Sequence, residues 1–133
     1  MTQPTVLIID DEPDILELLE MTLGRMDLLT RRASTLEQAL ALLDAESFDL
    51  CLTDMRLPDG DGMTIVRHIQ QHCPATPVAM ITAFGSLDTA INALKAGAFD
   101  FLTKPVDLTR LRELVATALR LNQPKPDSPP DSD

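Results

Sequence analysis

Apolar residues along this chain follow two rhythms. Val6-Leu7-Ile8-Ile9, Leu50-Cys51-Leu52-Thr53, Val78-Ala79-Met80-Ile81 and Phe101-Leu102-Thr103 are short continuous runs, the pattern of strands buried on both faces. A weaker run from Leu29 to Ala33 makes a fifth strand. Between the runs the spacing turns helical. Pro13 suits a first helical position, and Ile15, Leu18, Leu19, Thr22, Leu23 and Met26 then share one face. Ser34-Thr35-Leu36-Glu37 has capping-box spacing and opens a second helix through Leu36, Ala39, Leu40 and Leu43. Ile65, Val66, Ile69 and Cys73 trace a third helix. Leu87, Ala90, Ile91 and Leu94 trace a fourth, opened by Ser86 and closed by Gly97. The fifth runs through Leu108, Leu111, Val115, Ala118 and Leu119, with Asp107 as its N-cap. Strict alternation with short connections predicts an α/β fold, a parallel sheet covered by helices on both faces through right-handed crossovers.

Parallel strands bring all their carboxyl ends to one edge. The four strong runs end there on Asp10-Asp11, Asp54, Thr82 and Lys104. Three carboxylates in one place raise one another's pKa unless a cation intervenes, and all-oxygen ligation selects Mg²⁺ or Mn²⁺ over zinc. Lys104 adds a positive charge and Thr82 a hydroxyl donor, which together suit a phosphoryl group in transfer. An aspartate oxygen can attack phosphorus to form an acyl phosphate. Asp54 is the best-placed nucleophile, because the adjacent Asp10 and Asp11 are better placed to hold the metal.

Composition narrows the reading. At 133 residues the chain fits one domain. Hydrophobic residues make up 44% but aromatics only 3%, so the core is aliphatic and favours helix-on-sheet layers. Twenty-one acidic against eleven basic side chains give a net charge of −10, which repels nucleic acid and anionic membranes. Cys51 and Cys73 have no partner at metal or CxxC spacing and read as reduced, small apolar residues. With no stretch long enough to span a membrane and no signal-peptide pattern at Met1-Thr2-Gln3-Pro4, a cytoplasmic location is expected. Residues 1–121 form the expected domain. Residues 122–133 hold four prolines, two serines and three aspartates, the composition of a disordered tail or of a linker to a further domain.

Two other patterns have ordinary readings. Asp59-Gly60-Asp61-Gly62 is reminiscent of a calcium loop, but the terminal glutamate is missing, position 70 being Gln, so a tight turn is expected. His68 and His72 have the i, i+4 spacing of a metal chelate, yet no third ligand accompanies them in the sequence. They read as part of a solvated helix face.

Taken together, Asp10-Asp11-Glu12, Asp54-Met55-Arg56-Leu57-Pro58-Asp59-Gly60-Asp61-Gly62, Thr82-Ala83 and Lys104-Pro105 resemble the motifs of two-component response-regulator receiver domains. The resemblance covers residues 5–121 and implies a flavodoxin-like, CheY-like sheet of order 2-1-3-4-5. It implies that Asp54 accepts phosphate from a sensor histidine kinase. Mg²⁺ would be held by Asp10, Asp11, Asp54 and the backbone carbonyl of Arg56. Thr82 and Lys104 would contact the phosphate, Thr82 and Phe101 would form the switch, and the Lys104-Pro105 bond would be cis. Arg56 and Phe84 stand where the family tunes the lifetime of the acyl phosphate.

Ile81-Thr82-Ala83-Phe84-Gly85-Ser86 and Gly97-Ala98-Phe99-Asp100-Phe101-Leu102-Thr103-Lys104-Pro105 are similar to receivers of sigma-54-dependent, NtrC-type activators, pilin-gene regulators among them. That likeness implies an AAA+ output domain downstream. Shifting a two-state population from 1:99 to 99:1 needs about 5.5 kcal/mol, more than one charge-assisted hydrogen bond gives. A homodimer through the face of the fourth helix, fifth strand and fifth helix is therefore expected, with no enzymatic activity beyond the domain's own phosphorylation and dephosphorylation. A stand-alone receiver acting by docking is the alternative. An aspartyl-phosphate phosphohydrolase of the haloacid-dehalogenase type is a weaker one, since Arg56 stands where that family places its second aspartate.

Overall fold

The computed structural model describes residues 3–83 and 87–122. Five parallel strands form the main sheet: β1 (Thr5–Ile9), β2 (Leu29–Ala33), β3 (Leu50–Asp54), β4 (Val78–Thr82) and β5 (Asp100–Thr103). They alternate with α1 (Pro13–Gly24), α2 (Leu36–Ala45), α3 (Gly62–His72), α4 (Leu87–Ala96) and α5 (Leu108–Asn122). The order across the sheet is β2-β1-β3-β4-β5. One feature departs from the expected plan: Arg56–Leu57 and Gly60–Asp61 pair antiparallel as a separate ribbon between β3 and α3. Its tip is the tight turn at Pro58 and Asp59.

Side chains alternate across each strand, which divides the core in two. Leu7, Ile9, Cys51, Val78 and Met80 face α2, α3 and α4. Val6, Ile8, Leu50, Leu52, Ala79, Ile81 and Leu102 face α1 and α5. Burial on both sides explains why these strands read as continuous rather than alternating apolar runs.

Three helix expectations need correction. In α1 the central buried residue is Leu16, with Leu19, Thr22 and Leu23, while Ile15 and Leu18 are only half-buried. In α4 Ala90 is buried as expected and Ala93 is buried with it, but Ile91 and Leu94 are each 40% exposed. Small residues face inward at these positions, and the bulkier Ile91 and Leu94 turn outward. The cap of α2 is shifted by one residue. Thr35 is the N-cap and accepts a hydrogen bond from the Gln38 N–H at 3.1 Å, while Gln38 reaches back to the Ser34 N–H at 2.8 Å. Asp107 caps α5 as expected, accepting from the Thr109 N–H at 2.9 Å. Gly97 closes α4 at φ 119°, and its N–H donates to Leu94 O at 3.1 Å. Ser86 lies outside the described residues.

Asp59 adds a second cap to α2 from the ribbon tip. Its carboxylate accepts from the Leu36 N–H at 2.7 Å and the Glu37 N–H at 3.0 Å, filling two of the donors that a helix start leaves open. The Leu36 bond, foremost, holds the Asp59 carboxyl below its usual range. A depressed folded-state pKa adds stability above the unfolded value of about 3.9, and that stability is lost as pH falls through the folded value. Asp59→Asn keeps one acceptor oxygen of two. It is expected to be less stable than the parent in urea at neutral pH, with the gap closing below about pH 4; a gap independent of pH would contradict the charged cap.

Candidate functional site

Backbone pairing carries the sheet edge one residue past several strands. The Asp10 N–H donates to Ala33 O at 3.1 Å, the Met55 N–H to Ile81 O at 3.1 Å and the Lys104 N–H to Thr82 O at 2.8 Å. Asp10, Asp54 and Lys104 are thereby fixed side by side, although 94 positions separate the first from the last. Asp10 is fully buried, Asp54 is 7% exposed and Asp11 lies open to solvent. One carboxylate oxygen from each of the three falls within 4.8 Å of the others.

Lys104 answers this charge. Its Nζ is 2.8 Å from Glu12 Oε1, 3.0 Å from Asp10 Oδ2 and 3.3 Å from Asp54 Oδ2. Burial alone would lower the ammonium's pKa, but the contacts to Glu12, Asp10 and Asp54 outweigh it and hold Lys104 protonated well above its usual range. The carboxyls of Asp10 and Asp54 are both raised, first by burial. For Asp10 the Glu12 N–H, 2.9 Å from Oδ1, and Lys104 oppose the rise. For Asp54 Lys104 and the N–H groups of Arg56 and Met55 do so.

Asp10 Oδ2 is buried, and Lys104 is too poorly aligned to give it a hydrogen bond, so its partner is ionic only. A buried carboxylate oxygen in that state, beside two further carboxylates, fits a hard divalent cation with all-oxygen ligation. A cavity of about 660 Å³ opens over the group, lined among others by Asp11, Glu12, Asp54, Arg56, Thr89 and Lys104.

Asp10, Asp11, Asp54 and Lys104 come together, and Arg56 lines the same cavity. Thr82 reaches the same edge fully buried, but its hydroxyl sits 3.5 Å from Leu102 O rather than on a carboxylate. Phe101 is half-buried against the core under α2, α3 and α4. The Lys104–Pro105 peptide bond is cis. Phe84 lies outside the described residues.

Two contributors escaped the sequence reading. Glu12 is the nearest partner of Lys104, and only its place beside the acidic pair hinted at this. Gly62 starts α3 with its N–H on Met55 O at 2.7 Å, where an added Cβ would lie 2.4 Å from Asp54 O. Among the described residues no helix is long and apolar enough to cross a membrane.

The strand-end cluster and the doubly covered parallel sheet place the chain in the response regulator receiver domain family, which matches residues 6–116. The chain is 69% identical over 130 residues to the response regulator protein PilR of Pseudomonas aeruginosa, covering 98% of this chain and 29% of that protein. It is 35% identical over 119 residues to the DNA-binding transcriptional regulator NtrC of Proteus hauseri, covering 90% of this chain and 25% of that one. The receiver domain of NtrX from Brucella abortus superimposes with a TM-score of 0.82 at 33% identity, covering 86% of this chain and 98% of the other. The chain thus spans under a third of the length of these two regulators, and it is a signalling module of the two-component class.

The tight fit at Gly62 makes it a test of the site's backbone. Gly62→Ala must push against Asp54's own carbonyl and Met80 Sδ. The expected cost is about 1–3 kcal/mol, read as a lower urea midpoint at unchanged slope. An unchanged midpoint would show that the ribbon gives way freely.

Proposed function

We propose that Asp54 is the phosphoacceptor and that its modification switches the face formed by α4, β5 and α5. The supporting observation is the almost buried Asp54 carboxylate, open to a cavity beside two other carboxylates and an ammonium. An Asp54 oxygen attacks the phosphorus of a kinase phosphohistidine, the P–N bond breaks, and the imidazole leaves with its electron pair and takes up a proton. Asp10, Asp11, Asp54 and the Arg56 backbone carbonyl would hold Mg²⁺, or Mn²⁺ in its place. The bound ion would supply charge neutralisation for the incoming phosphoryl oxygens. Lys104 screens the same charge from the other side.

The acyl phosphate adds nearly two negative charges and three acceptor oxygens. Lys104 is drawn from Glu12 toward them, and Thr82 exchanges Leu102 O for a phosphate oxygen. Phe101 then packs deeper. Because it lacks a tyrosine hydroxyl, its two positions differ in packing alone. Moving a population from 1:99 to 99:1 takes about 5.5 kcal/mol, and one charge-assisted hydrogen bond supplies about 1.5–3 kcal/mol. Thr82 is therefore insufficient alone; Lys104 and a new homodimer contact through the switched face complete the shift. Arg56 and Phe84 would set how readily water reaches the phosphoryl group.

The setting we infer is the cytoplasm, with residues 1–121 as the receiver and 122–133 opening a linker to an AAA+, sigma-54-dependent output domain. The likeness to PilR and NtrC supports that reading over a stand-alone receiver. The net charge of −10 argues against nucleic-acid or membrane contact by this domain itself. Its only chemistry is on itself, and Arg56 disfavours the phosphohydrolase alternative.

Incubation with a small-molecule phosphodonor and Mg²⁺ is expected to add one phosphoryl group, detected by intact mass and absent in Asp54→Asn; phosphorylation that persists in the variant overturns the assignment. Phosphorylated Phe84→Ala is expected to lose its phosphate faster than the parent, because a bulky side chain no longer hinders the attacking water. An unchanged decay rate would remove Phe84 from that role.

A further inference from the structure

Thr89 is the one described residue of α4 that lines the cavity over Asp54, together with Glu12, Arg56 and Lys104. It stands half-buried in the first turn of α4, and no hydrogen bond reaches its hydroxyl from the described residues. Thr82, by contrast, is fully buried with its hydroxyl on Leu102 O. A phosphoryl group on Asp54, whose three oxygens take the room of about three waters, or roughly 90 Å³, leaves most of the cavity's 660 Å³ unfilled. The first turn of α4 therefore has room to close over it.

The other end of α4 is tied down. Gly97 O accepts from Gln70 Nε2 on α3 at 3.2 Å, the Ala98 N–H donates to Ala93 O at 2.9 Å, and the Phe99 N–H donates to Val78 O of β4 at 2.7 Å. Gln70 packs so closely on this corner that a Cβ added at Gly97 would lie 2.6 Å from its Cδ. A pull at the cavity end would thus swing α4 about its carboxyl end, and Ile91 would travel further than Leu94.

We propose that Thr89 is a second hydroxyl contact for the phosphoryl group, donating to one of its oxygens as the first turn of α4 closes over the cavity. The inference rests on Asp54 as the phosphoacceptor. It differs from the Thr82 contact in where the force acts, because Thr82 ends a strand within the sheet whereas Thr89 belongs to the helix itself. A threonine hydroxyl rotates to suit its acceptor, and a bond to an ionised oxygen is stronger than one between neutral groups. The phosphoryl charge would then reach α4 directly as well as through the end of β4.

Beryllofluoride, a phosphoryl mimic, titrated calorimetrically into the 133-residue chain in excess Mg²⁺, with amide hydrogen exchange followed by NMR, tests this. Thr89→Val keeps the side chain's shape and removes the hydroxyl. It should bind the mimic about tenfold or more weakly, and the α4 amides should lose the change in exchange that the mimic causes in the parent. Thr89→Ser restores the donor and should recover both. Thr30→Val, on the edge strand β2, should match the parent, with melting curves showing all three variants folded. Parent-like binding in Thr89→Val, or binding in Thr89→Ser as weak as in Thr89→Val, would overturn the contact while leaving Asp54 as the acceptor. No binding to the parent, or undiminished binding in Asp54→Asn, would instead overturn the phosphoacceptor reading and this inference with it.

Discussion

Lys104 is the charge on which the strand-end cluster depends. Parallel alignment forces Asp10 and Asp54 together, and burial raises the pKa of each. Two unit charges about 4 Å apart interact by about 4 kcal/mol at an effective dielectric near 20, so an uncompensated pair would strain the sheet edge. Lys104 lies within 3.3 Å of both and of Glu12. Its position rests on β5, whose register beside β4 runs on into the Lys104 N–H to Thr82 O bond. Moving that strand by one residue would unbalance the cluster.

The same arrangement makes the cluster responsive. One ammonium serves three carboxylates, one of them the exposed Glu12, which is the contact most cheaply given up. Thr82 is similarly poised, its hydroxyl on a backbone carbonyl at the long limit of a hydrogen bond. Thr82 ends β4, and Lys104 follows β5 directly. Ile91 and Leu94 of α4 stand exposed on the face proposed to switch.

The strands and the strand-end residues were legible because each apolar run is continuous and ends on a polar residue, and a parallel sheet converts that pattern into a shared edge. The ribbon was not, because Arg56–Leu57 and Gly60–Asp61 are two-residue strands too short to leave a period. The α4 face was misread for a different reason. Hydrophobicity put Ile91 and Leu94 beside Ala90 on the inner face, but the position buried with Ala90 is the smaller Ala93. Asp59 on α2, Glu12 on Lys104 and Asp44 on His68 are contacts across 22 to 92 positions that no local spacing records.

In the proposed switch, Lys104 changes partners when Asp54 carries a phosphoryl group. A crystal structure of the chain with Mg²⁺ and a phosphoryl mimic on Asp54 measures this directly. Lys104 Nζ is expected on the mimic and away from Glu12, with the Thr82 hydroxyl released from Leu102 O and turned to the same group. Lys104 still bridging Glu12 and Asp10 beside an occupied Asp54 would contradict it.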